Sequence, residues 1–386
     1  MNVDTGTVRE VAKGRVISKA VRLHEESTTF GQTGNLAEAE ARCRVALDLF
    51  EHEQGPTSAD VANVLRSLGE ILHRQRKYPE AEACAHRASI IIEPLLPQFE
   101  GPDGMSILVS SVILVGTSLR DQGRYTEART ALVRAIEMAA SIAGQPAATM
   151  RALNEFGVLC KFAGWFENGE RAYLQALGLA RRLYGEESLE VATILHNIGG
   201  LDHARGQYEM AQHPARRAFE IRRALLGVSH PDVLGDAVAY AAVLDGLGRY
   251  EESRAIYEHA LAEYERIFGP EHYEVAATLH NLAAVECVSG NIAKAETLAR
   301  RAVLLKYKLL GPRHPDTAFS AMNLGVILVE YGRAGEARPL FESALITFER
   351  TLPGEHPNLV RCKGLLKSVG ISADAARKHC KGLASA

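Results

Sequence analysis

Histidines and carboxamides are the side chains of this 386-residue chain that could do chemistry. His196, Asn197, Asp202 and His203 fall within one short stretch, which places two imidazoles beside a carboxylate and an amide. Such a set could hold a metal ion or move a proton. On a helix, however, His196 and His203 share a face about 10.5 Å apart along the axis, too far to share an ion without a ligand between them. His230, His314 and His356 each precede a proline, and His272 precedes a tyrosine at the matching place. They recur because a loop recurs, and the short-spaced ligand set of a zinc site is absent. No Gly-x-Ser-x-Gly elbow, Walker loop or dinucleotide fingerprint occurs, and Gly246-Leu-Gly248 reads as a turn between helices. With no recognisable acid–base pair, a polar patch is the preferred reading. A cryptic enzyme near His196 and His203 is the weakest alternative, and no metal or cofactor is expected.

Composition narrows the partners. A net charge of −3 gives no electrostatic reason to expect nucleic acid. Cysteines 43, 84, 160, 287, 362 and 380 show no metal or redox spacing, which suits a reducing compartment. Met1 to Arg15 lacks the apolar stretch of a secretory signal. The apolar run from Ile107 to Val115 is short and broken by serines, so no membrane span is expected. The expected location is cytoplasmic.

The elements that position these side chains repeat. Ala46, Ala88, Ala135, Ala176, Ala218, Ala260, Ala302 and Ala344 mark one place in eight successive units, and the last four steps are each 42 residues. Twelve residues before each alanine lies a turn, at Gly34, Arg76, Gly123, Gly164, Gly206, Gly248, Gly290 and Gly332. Seven before each turn comes a small residue, Ser27, Gly69, Gly116, Gly157, Gly199, Ala241, Ala283 or Gly325. Aromatic residues follow many of the turns, as at Tyr78, Tyr125, Phe166, Tyr208 and Tyr250. The apolar spacing suits helices and shows no strand alternation, so each unit reads as a helical hairpin. Glycine, often with proline, ends the second helix, as at Gly55-Pro56, Gly269-Pro270 and Gly311-Pro312. Asp60, Glu190, Asp232, Glu274, Asp316 and Asn358 then stand where they can cap or favour the next helix start. Extra residues around Pro94, Pro97 and Gly101 predict a kink or interruption after the second unit.

The small residues, turn glycine and following aromatic resemble the tetratricopeptide repeat, across roughly residues 12 to 352. The 42-residue length and loops such as Gly311-Pro-Arg-His-Pro-Asp316 are similar to the kinesin-light-chain type. The resemblance implies an all-α, right-handed superhelical solenoid of about eight hairpins. Their approximate bounds are 12–54, 55–100, 101–143, 144–184, 185–226, 227–268, 269–310 and 311–352. Residues 353–386 are expected to form a half-repeat and a capping helix near Ala373 to Lys381, which would cover the last apolar face.

It also implies a function: a non-catalytic adaptor or scaffold that holds an extended peptide in a concave groove. Groove positions nine and ten before each turn carry Asn197, Asn281 and Asn323 beside His196, His280 and Met322, with Asn154 in an earlier unit. His203 stands three before its turn. A carboxamide donates and accepts together, so those three asparagines could hold peptide backbone; alternatively they pair with a neighbouring loop. Arg66, Arg74, Arg120, Arg151 and Lys161 would meet acidic side chains, and Phe319 and Met322 would meet apolar ones. The opposing reading makes the charges local ion pairs and part of the apolar set core. Thr193, Ala277 and Phe319 stand where chaperone-tail clamps carry lysine, which argues against that ligand. A ligand-gated regulator that senses a peptide or small molecule is the alternative function. The sequence leaves the oligomeric state open.

Overall fold

The computed structural model describes residues 5–141, 145–352, 354 and 356–369. The expected capping helix near Ala373 to Lys381 lies outside them. Among the described residues the regular structure is helical throughout, without a strand. Contacts divide the chain into two compact units, Met1–Phe156 and Gly157–Ala386.

Unit 1 holds α1 (Thr5–Gln32), α2 (Leu36–Gln54), α3 (Ala59–Arg74), α4 (Tyr78–Ile92), α5 (Asp103–Asp121) and α6 (Tyr125–Ser141). The next helix, α7 (Pro146–Ala163), contributes its first part to unit 1 and its last turns to unit 2. Unit 2 continues with α8 (Phe166–Tyr184), α9 (Leu189–Ala204), α10 (Tyr208–Leu226), α11 (Pro231–Gly246) and α12 (Tyr250–Phe268). It ends with α13 (Tyr273–Val288), α14 (Ile292–Leu310), α15 (Pro315–Glu330), α16 (Ala334–Thr351) and α17 (Pro357–Val369). The first helix starts earlier than the expected residue 12. The extra residues after the second hairpin form a short 3-10 helix, Glu93–Gln98, and α4 and α5 still pack together. The expected interruption is therefore absent, because the prolines wind the insertion into a compact turn. By length and composition α5 could cross a membrane, but most of it is buried inside the fold, as in a core helix.

The turn residue takes a left-handed conformation in every hairpin, and Arg76 (φ 63°) does so without glycine's freedom. Each turn from Arg76 onward closes with a long backbone bond to the preceding helix, such as Gln207 N–H to Asp202 O (2.8 Å), the pattern that satisfies a helix's last carbonyls. The eight repeating alanines are all buried. The small residue seven before the turn accepts a side chain from the second helix. Tyr173 lies against Gly157, and a methyl on Gly325 would fall 2.6 Å from the Phe341 ring. At Gly199 the approach is to backbone, since a methyl there would lie 3.1 Å from Ala215 N.

At the helix starts the expected acidic residues favour the dipole, and the caps come from another side chain. The capping side chain stands two residues before the acidic one: Ser58 for α3, Ser188 for α9, then His230, His272, His314 and His356. In the four histidine caps Nδ1 accepts a backbone N–H, at 3.1 to 3.3 Å. The acidic residues sit in the first turn, where the helix dipole favours negative charge.

In both units the first helices of neighbouring hairpins touch one another (α1–α3–α5 and α9–α11–α13–α15–α17), whereas second helices approach less closely. First helices therefore lie on the inner side of each unit's curvature, and their exposed face is its A face. Unit 2 also closes on itself. The His356 Nε2–H donates to the Phe162 carbonyl (2.9 Å) across 194 residues of sequence. Pro357 packs beside Gly164 in the turn between α7 and α8.

Candidate functional site

Rungs between successive first helices organise the A face. In unit 1 His24 Nε2 meets Ser67 Oγ at 2.9 Å. In unit 2 His196 Nδ1 meets Asp236 Oδ1 at 2.7 Å, and His280 Nδ1 meets Ser320 Oγ at 3.0 Å from the equivalent place. His280 Nε2 also meets the Asn323 carboxamide at 2.9 Å. These histidines fix the pitch between hairpins instead of converging on an ion, and no metal-ligand cluster occurs among the described residues.

Unit 1 carries a charged A face whose groups are engaged within the unit. Arg66 donates to Glu70 (2.7 Å) and to Asn63, and Arg74 donates to the Gly31 carbonyl (2.7 Å). Arg120 bridges Asp121 (2.7 Å) and Glu155 (2.9 Å), while His73 lies 3.0 Å from Asp121. Asp121 is half-buried, and that desolvation opposes its charge, but Arg120 and His73 outweigh it and hold its carboxyl down at about 2. Asn154 donates to Glu155 (3.2 Å), and Arg151 donates to Ser110 Oγ (2.7 Å). Of the residues expected to meet an acidic ligand, Arg66, Arg74 and Arg120 thus complete internal networks; Arg74 and Arg151 are exposed, and Arg66 and Arg120 are half-buried.

Unit 2 is different. Lys161 at the end of α7 lies over the Phe162 ring, 5.2 Å from its centroid, and beside Gly200 of α9. His203 hydrogen-bonds to the Ala242 backbone; burial first, and then Lys161, push its pKa down to about 4, so it is neutral at pH 7. Asp202 is lifted to about 6 by burial and by Glu170. The two histidines that share a face in sequence therefore serve different neighbours, His196 serving Asp236 and His203 the Ala242 backbone.

Accessibility along this face falls from α9 to α15. His196, Asn197 and His203 on α9, Val238, Ala239 and Ala242 on α11, and Asn281 and Val288 on α13 are half-buried. On α15 Phe319 is half-buried against the His280 ring (5.0 Å between centroids). Met322 (0% exposed), Asn323 (5%) and His280 (9%) are closed off. The groove assignment of these three is therefore corrected. Met322 packs in one cluster with Leu359, Cys362 and Leu365 of α17, while Asn323 spends its amide on His280. Burial drives the His280 pKa down to about 3, consistent with a neutral structural rung.

Buried ion pairs hold the first helices in place, and sequence reading missed them. Arg222 of α10 pairs with Asp236 of α11, whose side chain is wholly buried, and also donates to Thr193 Oγ1 (2.9 Å). Lys306 pairs with Asp316 (2.8 Å), which also accepts from the Tyr273 hydroxyl (2.8 Å). Glu286 receives Lys294 (2.7 Å) and Asn291 (2.6 Å). A signal existed. Sixteen residues after the turn, the slot holding Ala180, Tyr264 and Phe348 also holds Arg222 and Lys306, and a cation there demands a buried acid. Asp245 has a softer partner, the Tyr257 hydroxyl (2.8 Å), and burial lifts its pKa to about 7.

With this geometry in place, sequence-family comparison is direct. Tetratricopeptide-repeat models match residues 23–89, 148–224, 237–303 and 274–350, and a second such model matches 113–146. They cover most of the chain, which belongs to the tetratricopeptide-repeat family. No curated protein sequence matches it. Among solved structures, a Rap protein complexed with competence and sporulation factor is similar over 94% of this chain and 100% of its own, at 12% identity and a TM-score of 0.57. NprR in complex with its cognate peptide NprX is similar over 80% of this chain and 87% of its own, at 15% identity and a TM-score of 0.57. BtubC from P. vanneervenii covers 62% of this chain and 92% of its own, at 21% identity and a TM-score of 0.49. These likenesses concern the fold.

Proposed function

We propose that this chain is a non-catalytic binding module that takes an extended peptide segment, or the peptide-like tail of a protein, along the A face of unit 2. The observation that carries this reading is the run of half-buried amides and small apolar residues on α9, α11 and α13: Asn197, Val238, Ala239, Ala242 and Asn281. Carboxamides at Asn197 and Asn281 suit a peptide's alternating N–H and C=O groups. Small apolar residues between them let a backbone approach closely. Helices braced by buried pairs such as Arg222–Asp236 present that face without reordering, which favours affinity. Lys161 stands at one end to meet an acidic group, and Phe319 at the other to meet an apolar side chain. The structures of a Rap protein complexed with competence and sporulation factor and of NprR with its cognate peptide support the reading by fold. The ligand-gated alternative is a regulation of the same face and is taken up below.

Selection of random displayed dodecapeptides on the immobilised full-length protein, followed by hydrogen-exchange footprinting of the best binder, tests this. Protection should concentrate on α9, α11 and α13. Failure to select any sequence, or protection confined to second helices, would reject the assignment.

A further inference from the structure

The contact between His356 and Phe162 closes the circuit of unit 2 and is not needed to build any hairpin. Both ring nitrogens of His356 are engaged. Nδ1 accepts the Asn358 N–H (3.1 Å) and caps α17, and Nε2–H donates to the Phe162 carbonyl (2.9 Å). Only 8% of the residue is exposed. On the opposing side Pro357 and the His356 ring lie beside the turn between α7 and α8. Gly164 has φ +74°, and a Cβ there would lie 3.4 Å from Pro357 and 3.5 Å from the His356 ring. The equivalent loop histidines His230, His272 and His314 cap their helices by the same Nδ1 bond.

The closure is small compared with the joints between hairpins. Among the described residues it comprises the His356–Phe162 hydrogen bond and the packing of Pro357 and the His356 ring beside Gly164, whereas each hairpin packs through whole helix faces. First helices lie on the inner side of the curvature, so a closed circuit leaves the A face reachable only from its ends. We propose that the Phe162–His356 contact is a gate: it holds unit 2 closed in the resting protein, and its opening admits ligands to the A face. The proposal rests on the peptide-binding reading for its purpose, but its test uses no peptide.

Asparagine at 356 preserves a helix cap while falling short of the Phe162 carbonyl, so His356→Asn opens the gate without unfolding α17. Nitroxides are placed at Glu167→Cys and Val360→Cys, with Cys84 and Cys380 changed to serine, and distances are read by double electron–electron resonance. The parent should give one short, narrow distance. His356→Asn should add a longer population, and His314→Asn, the same exchange in the preceding loop, should not. In parallel, Asn281→Cys is titrated with a polymer-bearing maleimide too bulky to enter from the ends. Its labelling rate should rise about fivefold in His356→Asn, the population change that follows loss of one hydrogen bond. Distances and rates unchanged by His356→Asn would overturn the gate and leave the peptide reading standing. Absence of selected peptides would reject that reading while the gate measurements stood. Circular dichroism of each variant confirms that helix content is kept.

Discussion

The two units build their A faces from the same hairpin and spend them differently. In unit 1 the face is ionic, and its charges answer one another, as Arg66–Glu70 and His73–Asp121–Arg120–Glu155. In unit 2 the acids Asp236, Asp316 and Glu286 are engaged by Arg222, Lys306 and Lys294, and beyond Lys161 the half-open run of Asn197, Val238, Ala239, Ala242 and Asn281 is uncharged. A side chain already bonded to its own unit must give up that bond before it can bind anything else. An exposed cation in sequence is therefore poor evidence for an acidic ligand. Small residues and amides over a braced scaffold make the better platform.

This contrast can be broken most forcefully at its buried pairs. Arg222→Ala leaves Asp236 buried without its cation and should lower stability by about 3–5 kcal/mol. Arg66→Ala, at a partly exposed pair, should cost about 0.5 kcal/mol. Chemical denaturation of both variants checks the ranking, and equal losses would erase the distinction between the faces.

Asp245 sharpens the contrast through pH. Its folded pKa, near 7, is raised above the ordinary carboxyl value, so its unfavourable ionisation weighs on the fold above pH 7 and fades as pH falls towards 4. Asp245→Asn should therefore raise stability at pH 8 by about 2 kcal/mol, with the gain shrinking on acidification. Midpoints measured at pH 8 and pH 4.5 decide this; a gain independent of pH would assign the effect to packing. In unit 1 Asp121 behaves oppositely. Its depressed pKa of about 2 contributes stability at neutral pH that is lost as pH falls below about 4.

The histidine caps give a smaller effect. His314→Ala should destabilise by about 1 kcal/mol and His314→Asn by much less, as measured by thermal melts at pH 8. Similar losses would show that the imidazole packs rather than caps.

Much of this architecture was legible in the chain. The 42-residue beat gave the hairpins, because each copy must present the same small residues and turn to its neighbours. The turn at Arg76 was placed by register although it lacks glycine. Of the two roles expected for the acidic residues, favouring the helix start holds, while the cap itself stands two residues earlier. A carboxylate in the first turn and a histidine before it both favour a helix start, and sequence does not say which one bonds the backbone. The A face was legible only in part. Asn197 and Asn281 stay half-open, whereas the equivalent Asn323 is sealed because its neighbour is the packed helix α17 and because His280 reaches across to it. Repeat register fixes where a side chain starts, and the neighbouring unit decides whether it ends in a groove or a core. The Phe162–His356 closure lay beyond any periodic argument, since it joins two unlike elements across the circuit.

The central claim is that the neutral face of unit 2, and not the ionic face of unit 1, takes the ligand. Calorimetric affinities of the selected dodecapeptide should be compared for the parent, Asn197→Ala/Asn281→Ala, and Arg66→Ala/Arg151→Ala. The account predicts at least a tenfold loss in the asparagine variant, about 1.4 kcal/mol, and little change in the arginine variant. A loss in the arginine variant with the asparagine variant unaffected would contradict it.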